Sequence, residues 1–117
     1  VCIIRAAFSL EKGEQAAIQA EMDRIIGQRK EKQPLDLPSA GSTFKRPQGA
    51  YAAQLIDQCG LRGFTVGGAQ VSTKHTGFVV NIGGATCQDV LELARQVKEC
   101  VKEKMGFELE MEVRLLP

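Results

Sequence analysis

The sequence predicts an α+β fold, a two-layer sandwich in which helices cover one face of a mixed or antiparallel sheet. Two observations lead there. Apolar residues recur at helical spacing in some stretches and at strand spacing in others, in the order strand, helix, loop, helix, two strands, helix, strand. The 117 residues suffice for one core, but they are too few to add a nucleotide-cofactor domain of ordinary size.

Composition narrows the class. With 44% hydrophobic and 25% charged residues, the chain has the balance of a soluble globular domain. Fifteen basic and fourteen acidic residues give a net charge of +1, and they are interspersed. No broad positive field favours nucleic acid. No apolar run approaches the roughly 20 residues of a membrane-spanning helix, and no secretory signal precedes the first element, so a cytoplasmic protein is expected. Cys2, Cys59, Cys87 and Cys100 are far apart without a C-x-x-C, and His75 is the one histidine. That pattern argues against a zinc site and against a disulfide framework, and the thiols are expected to be buried as small hydrophobes.

Residues 1–10 read as a strand, apolar with β-branched Ile3 and Ile4, which pairs either with a later strand or with a sheet belonging to a preceding part of a longer chain. Across 13–33, Ile18, Met22, Ile25 and Ile26 follow i, i+4, i+7, i+8 spacing, predicting an amphipathic helix that Pro34 stops. Its closing Arg29, Lys30 and Lys32 suit the negative end of the helix dipole.

The stretch 38–47, Pro38-Ser39-Ala40-Gly41-Ser42-Thr43-Phe44-Lys45-Arg46-Pro47, has a proline at each end and reads as loop or short extended structure. Residues 50–59 follow as a short helix carrying Ala52, Leu55, Ile56 and Cys59 on one face, with Gly60 where a left-handed cap is wanted. The free N–H groups at its start and the cations Lys45 and Arg46 are placed to converge on one anion.

Two β-rich runs, 63–72 and 78–82, are separated by a turn at 73–77. Gly67-Gly68 lacks the G-x-G-x-x-G pattern of a phosphate loop and reads as a bulge or turn. Thr86 with Asp89 three residues on predicts a capped helix, whose stripe Val90, Leu93, Ala94, Val97, Val101 runs to about Met105 before Gly106 ends it. A final strand over 107–116 alternates Leu109, Met111, Val113 and Leu115 with Glu108, Glu110, Glu112 and Arg114.

Candidate chemistry gathers in two places. Ser42, between Gly41 and Thr43, has the residue type of a nucleophile, a proton donor, an anion ligand or a turn residue. No G-x-S-x-G elbow surrounds it, and no activating base is evident in the sequence, which disfavours a hydrolase triad. On the last strand Glu108, Glu110, Glu112 and Arg114 share a face, either a solvated edge or the lining of a pocket in which acids perturb one another. Residue types alone lead to an α+β domain with an anion-binding loop. A free-standing nucleotide-sugar or anion-binding module using Lys45 and Arg46 is one reading of it, and a purely structural domain another.

Four blocks carry a resemblance. The stretch 38–47, then Gln54-Leu55-Ile56-Asp57 through Gly60-Leu61-Arg62-Gly63, then Gly67-Gly68-Ala69-Gln70-Val71-Ser72 with Lys74-His75, and finally Glu110-Met111-Glu112-Val113-Arg114 resemble the C-terminal, substrate-binding domain of the UDP-N-acetylenolpyruvoylglucosamine reductase (MurB) family. The resemblance implies a part of an NADPH- and FAD-dependent oxidoreductase of peptidoglycan synthesis, acting on UDP-N-acetylglucosamine enolpyruvate. In that family hydride reaches the terminal vinyl carbon, and the adjacent carbon is then protonated. The proton-donating serine of the family falls on Ser42, and the glutamate that stabilises the enol, most simply as a protonated donor, falls on Glu112, with Arg114 as a partner that orients it. Lys45 and Arg46 match positions near the diphosphate.

The departures all point one way. The glycine-rich flavin loops and the third catalytic group of the family, an arginine, have no counterpart in 1–117, and the short link after Pro47 resembles the shorter branch of the family. The resemblance therefore implies that residues 1–10 are the tail of a preceding flavin domain, that FAD is not held tightly here, and that this chain is inactive by itself. No metal is implied.

Overall fold

A computed structural model describes residues 2–117; Val1 of the first expected strand lies outside the described residues. The chain divides into two compact units, Val1–Glu31 and Lys32–Pro117. In the first, residues 2–14 have no regular structure and α1 spans Gln15–Lys32 across the boundary. The expected helix is present, but its burial is not. Ile18, Met22, Ile25 and Ile26 remain 45–50% exposed, and no residue of α1 is buried. The expected strand is absent over 2–10, where Ile3, Ile4, Phe8 and Leu10 are all exposed. Apolar periodicity chooses which face a helix offers; burying it takes more facing surface than residues 2–14 supply.

The second unit holds a four-stranded antiparallel sheet of β1 (Ser39–Ser42), β2 (Thr65–Val66), β3 (Ala69–Val71) and β4 (Phe78–Asn81) in the order β1-β4-β3-β2. Of the two sheet types expected, the antiparallel one is found. Stretch 63–72 is not one strand: Gly67-Gly68 folds it into the β2–β3 hairpin, pairing Val66 with Ala69. Gly67 takes φ +55°, and a Cβ on Gly68 would meet the Gly83 carbonyl and the Ala85 amide at 2.4 Å. Glycine is required there because neighbouring backbone fills the space.

Helix α2 (Ala52–Gln58) turns out of its last residue through Gly60 at φ +75°, as expected for a left-handed cap. Helix α3 (Cys87–Met105) forms as its sequence dictates. Thr86 accepts from the Asp89 amide while the Asp89 carboxylate accepts from the Thr86 amide, and Gly106 closes the helix at φ +73°. Asp89 also accepts from the Gly68 amide at 3.4 Å, tying the hairpin to the start of α3. Both contacts hold its carboxyl below the usual aspartate range, with the Thr86 amide the larger cause.

The core lies between α2, α3 and the sheet. Ile56, Leu93, Val97 and Val101 are fully buried, with Phe44, Val71, Val79 and Leu109 around them. Removing the side chain of one such residue costs about 2–5 kcal/mol. The cysteines divide, contrary to the expectation that all are buried. Cys59 is buried and Cys100 half-buried, while Cys2, in the irregular N-terminal segment, and Cys87, on the first turn of α3, are exposed. Burial, followed by the neighbouring Cys100, pushes the Cys59 thiol up.

Candidate functional site

Two short backbone segments build the site. In β1, Ser39 pairs with Val80 and Ser42 with Phe78, so β1 carries one more residue than β4 over the same interval. Gly41, at φ +85°, lies within that irregularity. An extra residue reverses the face to which the following side chains point. The orientation of Ser42 is therefore set by Gly41, a dependence legible as the Gly41-Ser42 pair and interpretable only with the register.

After Ser42 the chain leaves β4 through Thr43. The Thr43 amide donates to the Gly77 carbonyl at 2.9 Å, and its hydroxyl oxygen accepts from the Val79 amide at 3.1 Å. The carbonyl of Thr43 accepts from the Glu112 amide at 2.9 Å, and the Lys45 amide donates to the Glu110 carbonyl at 2.8 Å. These last two bonds flank an antiparallel bridge between Phe44 and Met111. The final strand expected over 107–116 is thus reduced to this one bridge. Leu109 is buried and Met111 half-buried, whereas Leu115 is 67% exposed. Alternation sorted the faces, but the ladder extends only where 43–45 runs alongside.

The bridge brings Ser42 and Glu112 together. Cα atoms of a bonded antiparallel pair lie about 5.5 Å apart and consecutive Cα atoms about 3.8 Å, so the Ser42 and Glu112 backbones lie within roughly 9 Å. Both residues are exposed. The Ser42 hydroxyl makes only a long 3.5 Å approach to the Phe44 carbonyl, at the limit of a hydrogen bond, which leaves its proton available to a ligand.

The cations are placed differently. Lys45 pairs with Glu110 at 2.9 Å, both exposed, which raises the Lys45 pKa and lowers that of Glu110. Glu112 also favours the charged Lys45, and Arg114 opposes it, so the four charges act on one neighbourhood. Among the described residues Arg114 makes no ion pair with Glu112; it lines a groove of about 530 Å³ with Ala40, Thr43, Val80, Met111 and Val113. Ser42 and Glu112 are not walls of that groove, which is therefore not the centre of this arrangement. Arg46 stacks over the Tyr51 ring, 4.0 Å from its centroid, and together with Lys45, Gln48, Phe107, Glu108 and Glu110 lines a shallow groove of about 370 Å³. The two cations thus share a groove, and no residue of α2 is among its walls.

The turn expected over 73–77 is present and supports β4 where it meets Ser42 and Thr43. The Ser72 hydroxyl accepts from the Lys74 and His75 amides, each at 3.1 Å, and His75 Nδ1 accepts from the Gly77 amide at 3.1 Å. His75 meets the Phe78 ring edge-on at 4.9 Å. The turn thus fixes Gly77 and Phe78, the residues that face Thr43 and Ser42. His75 is a turn residue here, engaged through Nδ1.

At the Gly67-Gly68 and Gly83-Gly84 turns, backbone donors are already in use. The Gly68 amide is given to Asp89, and the Gly83 and Ala85 amides are given to the Asn81 side chain at 2.9 and 3.1 Å. A diphosphate there would have to displace side chains already using those donors. Among the described residues no group of three His, Cys, Asp or Glu side chains is arranged to hold a metal, and no helix is long and apolar enough to cross a membrane.

The sequence profile described as the UDP-N-acetylenolpyruvoylglucosamine reductase C-terminal domain matches residues 33–116, including both halves of the bridge. The chain belongs to the MurB C-terminal domain family. Proteins named UDP-N-acetylenolpyruvoylglucosamine reductase agree with it closely: that of Caldanaerobacter subterraneus is 52% identical over 114 residues, covering 97% of this chain and 38% of the relative. That of Lachnoclostridium phytofermentans is 55% identical over 114 residues, covering 97% and 37%. The crystal structure of the Thermus caldophilus reductase (MurB) aligns over 93% of this chain and 38% of its own, with TM-score 0.75 and 38% identity. The chain thus spans a little over a third of the length of these relatives.

Proposed function

We propose that this chain is the substrate-binding part of a reductase that converts UDP-N-acetylglucosamine enolpyruvate to UDP-N-acetylmuramate in cytoplasmic peptidoglycan synthesis. The observation that carries the reading is the antiparallel bridge, which sets Glu112 one backbone bond from the residue after Ser42. A hydroxyl and a carboxyl carried on backbones within roughly 9 Å of each other suit a substrate whose double bond gains a proton beside a carboxylate.

In this reading Ser42 gives its proton to the carbon next to the substrate carboxylate, while Glu112 hydrogen-bonds the developing enol, and rigid backbone on both sides supplies the alignment. Lys45 exchanges its exposed partner Glu110 for the sugar diphosphate. Arg46, on Tyr51, lies farther along the same loop as a second contact. Arg114 acts on this neighbourhood through its charge. FAD and NADPH belong to the remainder of the longer protein, because the glycine turns here have their donors occupied. Residues 1–10 are the tail of that preceding flavin domain.

The test uses a full-length reductase carrying this chain as its C-terminal domain. Ser42→Ala and Glu112→Gln each lower turnover by about 10²–10⁴-fold, while the isolated chain supplied with NADPH and the enolpyruvyl substrate leaves the nicotinamide absorbance unchanged. Full activity in either variant removes that residue from the site. Turnover by the isolated chain shows that it is complete in itself.

A further inference from the structure

We infer that Thr43 is the positioning residue of the site, the one side chain whose hydroxyl holds Ser42 and Glu112 in register. The inference rests on the catalytic reading of Ser42 and Glu112 above and deepens it. Thr43 is 3% exposed, and its amide, hydroxyl oxygen and carbonyl are engaged with three different segments. Its amide goes to Gly77 in the turn, its hydroxyl oxygen receives the Val79 amide of β4, and its carbonyl receives the Glu112 amide.

The hydroxyl decides the arrangement. Val79 lies between the Ser39–Val80 and Ser42–Phe78 pairings, opposite the extra residue of β1, and there its amide needs an acceptor that a regular ladder would supply as a backbone carbonyl. The Thr43 side chain provides it, and the Thr43 carbonyl is then left to the opposite neighbour, Glu112. With valine in its place the shape is kept and the acceptor is lost, so the buried Val79 amide competes for the carbonyls nearby. Ser42 and Glu112 then shift relative to each other. Thr43 touches no substrate in this account; it acts through the two residues that do.

The experiment compares turnover in the full-length reductase for Thr43→Val, Thr43→Ser, Ser42→Ala and the double variant Ser42→Ala/Thr43→Val. Thr43→Val lowers kcat about 10–100-fold, the loss expected for a small misplacement of reacting groups, with KM within about twofold. Thr43→Ser, which keeps the hydroxyl, recovers most of that loss. In the Ser42→Ala background Thr43→Val has little further effect, because residues acting as one unit are non-additive.

An unchanged kcat in Thr43→Val beside a crippled Ser42→Ala overturns the role of Thr43 and leaves the catalytic reading standing. Full multiplication of the two losses, or a folded Thr43→Ser as slow as Thr43→Val, also overturns it. Full activity in Ser42→Ala defeats the underlying reading, and the Thr43 inference with it. If Thr43→Val fails to fold, Thr43→Ala is measured in its place with the same criteria.

Discussion

The amide of Glu112 donates to the carbonyl of Thr43 at 2.9 Å, joining the end of the chain to the middle of the 38–47 stretch. Every assignment at the site depends on that contact. It is flanked by the Lys45 to Glu110 backbone bond and reinforced above the backbone by the Lys45 to Glu110 ion pair. Phe44 and Met111, on the bridge itself, face the core. One short bridge thus separates an apolar face that anchors the segment from a charged face that offers it to a ligand.

The first prediction concerns Gly68. A Cβ there would lie 2.4 Å from backbone atoms of Gly83 and Ala85, and backbone cannot swing aside as a flexible side chain can. Gly68→Ala should lower stability by about 1–3 kcal/mol, measured by urea denaturation. Gly84→Ala meets no atom within 4 Å but sits at φ +64°, and its cost of about 1 kcal/mol comes from backbone strain alone.

The second concerns the start of α3. Thr86→Ala should cost about 1 kcal/mol. The pH dependence follows from Asp89, whose folded carboxyl sits below its unfolded value of about 3.9. Its contribution is complete above that value and is lost as pH falls through the folded pKa. Melting temperature should therefore hold level from pH 7 to about 5 and fall below about 4, with a shallower fall in Asp89→Asn. Identical acid profiles for the two proteins would exclude Asp89 as a contributor.

These elements also mark what could be read in advance. Helix α3 was legible to its ends because the Thr86 cap, the stripe and the Gly106 stop are local features of consecutive residues. The 38–47 stretch was legible as extended structure, and Ser42 and Glu112 as candidates. The last strand was not: the pattern from Leu109 to Leu115 reports which side chains face inward, whereas a ladder needs a partner backbone, and 43–45 provides one for only three residues. Residues 2–10 fail as a strand for the same reason. The partner of Lys45 lies 65 residues away at Glu110, and Arg46 is held by the Tyr51 ring, a contact that no spacing in the sequence signals. Thr43 carried no signal at all, since an acceptor for Val79 is needed only once the register of β1 is known.

The third prediction concerns Lys45. Its partner Glu110 is exposed, so the pair is screened by solvent and readily exchanged for a stronger anion. Lys45→Ala should weaken UDP-N-acetylglucosamine binding by about tenfold or more, the value of one charge-assisted hydrogen bond, measured by calorimetric titration of the full-length reductase. Glu110→Gln should tighten it slightly by releasing Lys45. Unchanged affinity in Lys45→Ala would move the diphosphate elsewhere.

The most direct test of the central claim, that Ser42 supplies the proton, separates the two halves of turnover in the Ser42→Ala full-length reductase by rapid mixing. NADPH consumption without the enolpyruvyl substrate should run at the unmodified rate, and the phase that depends on that substrate should slow by at least about 10²-fold. A substrate-dependent phase as fast as in the unmodified protein would contradict the account.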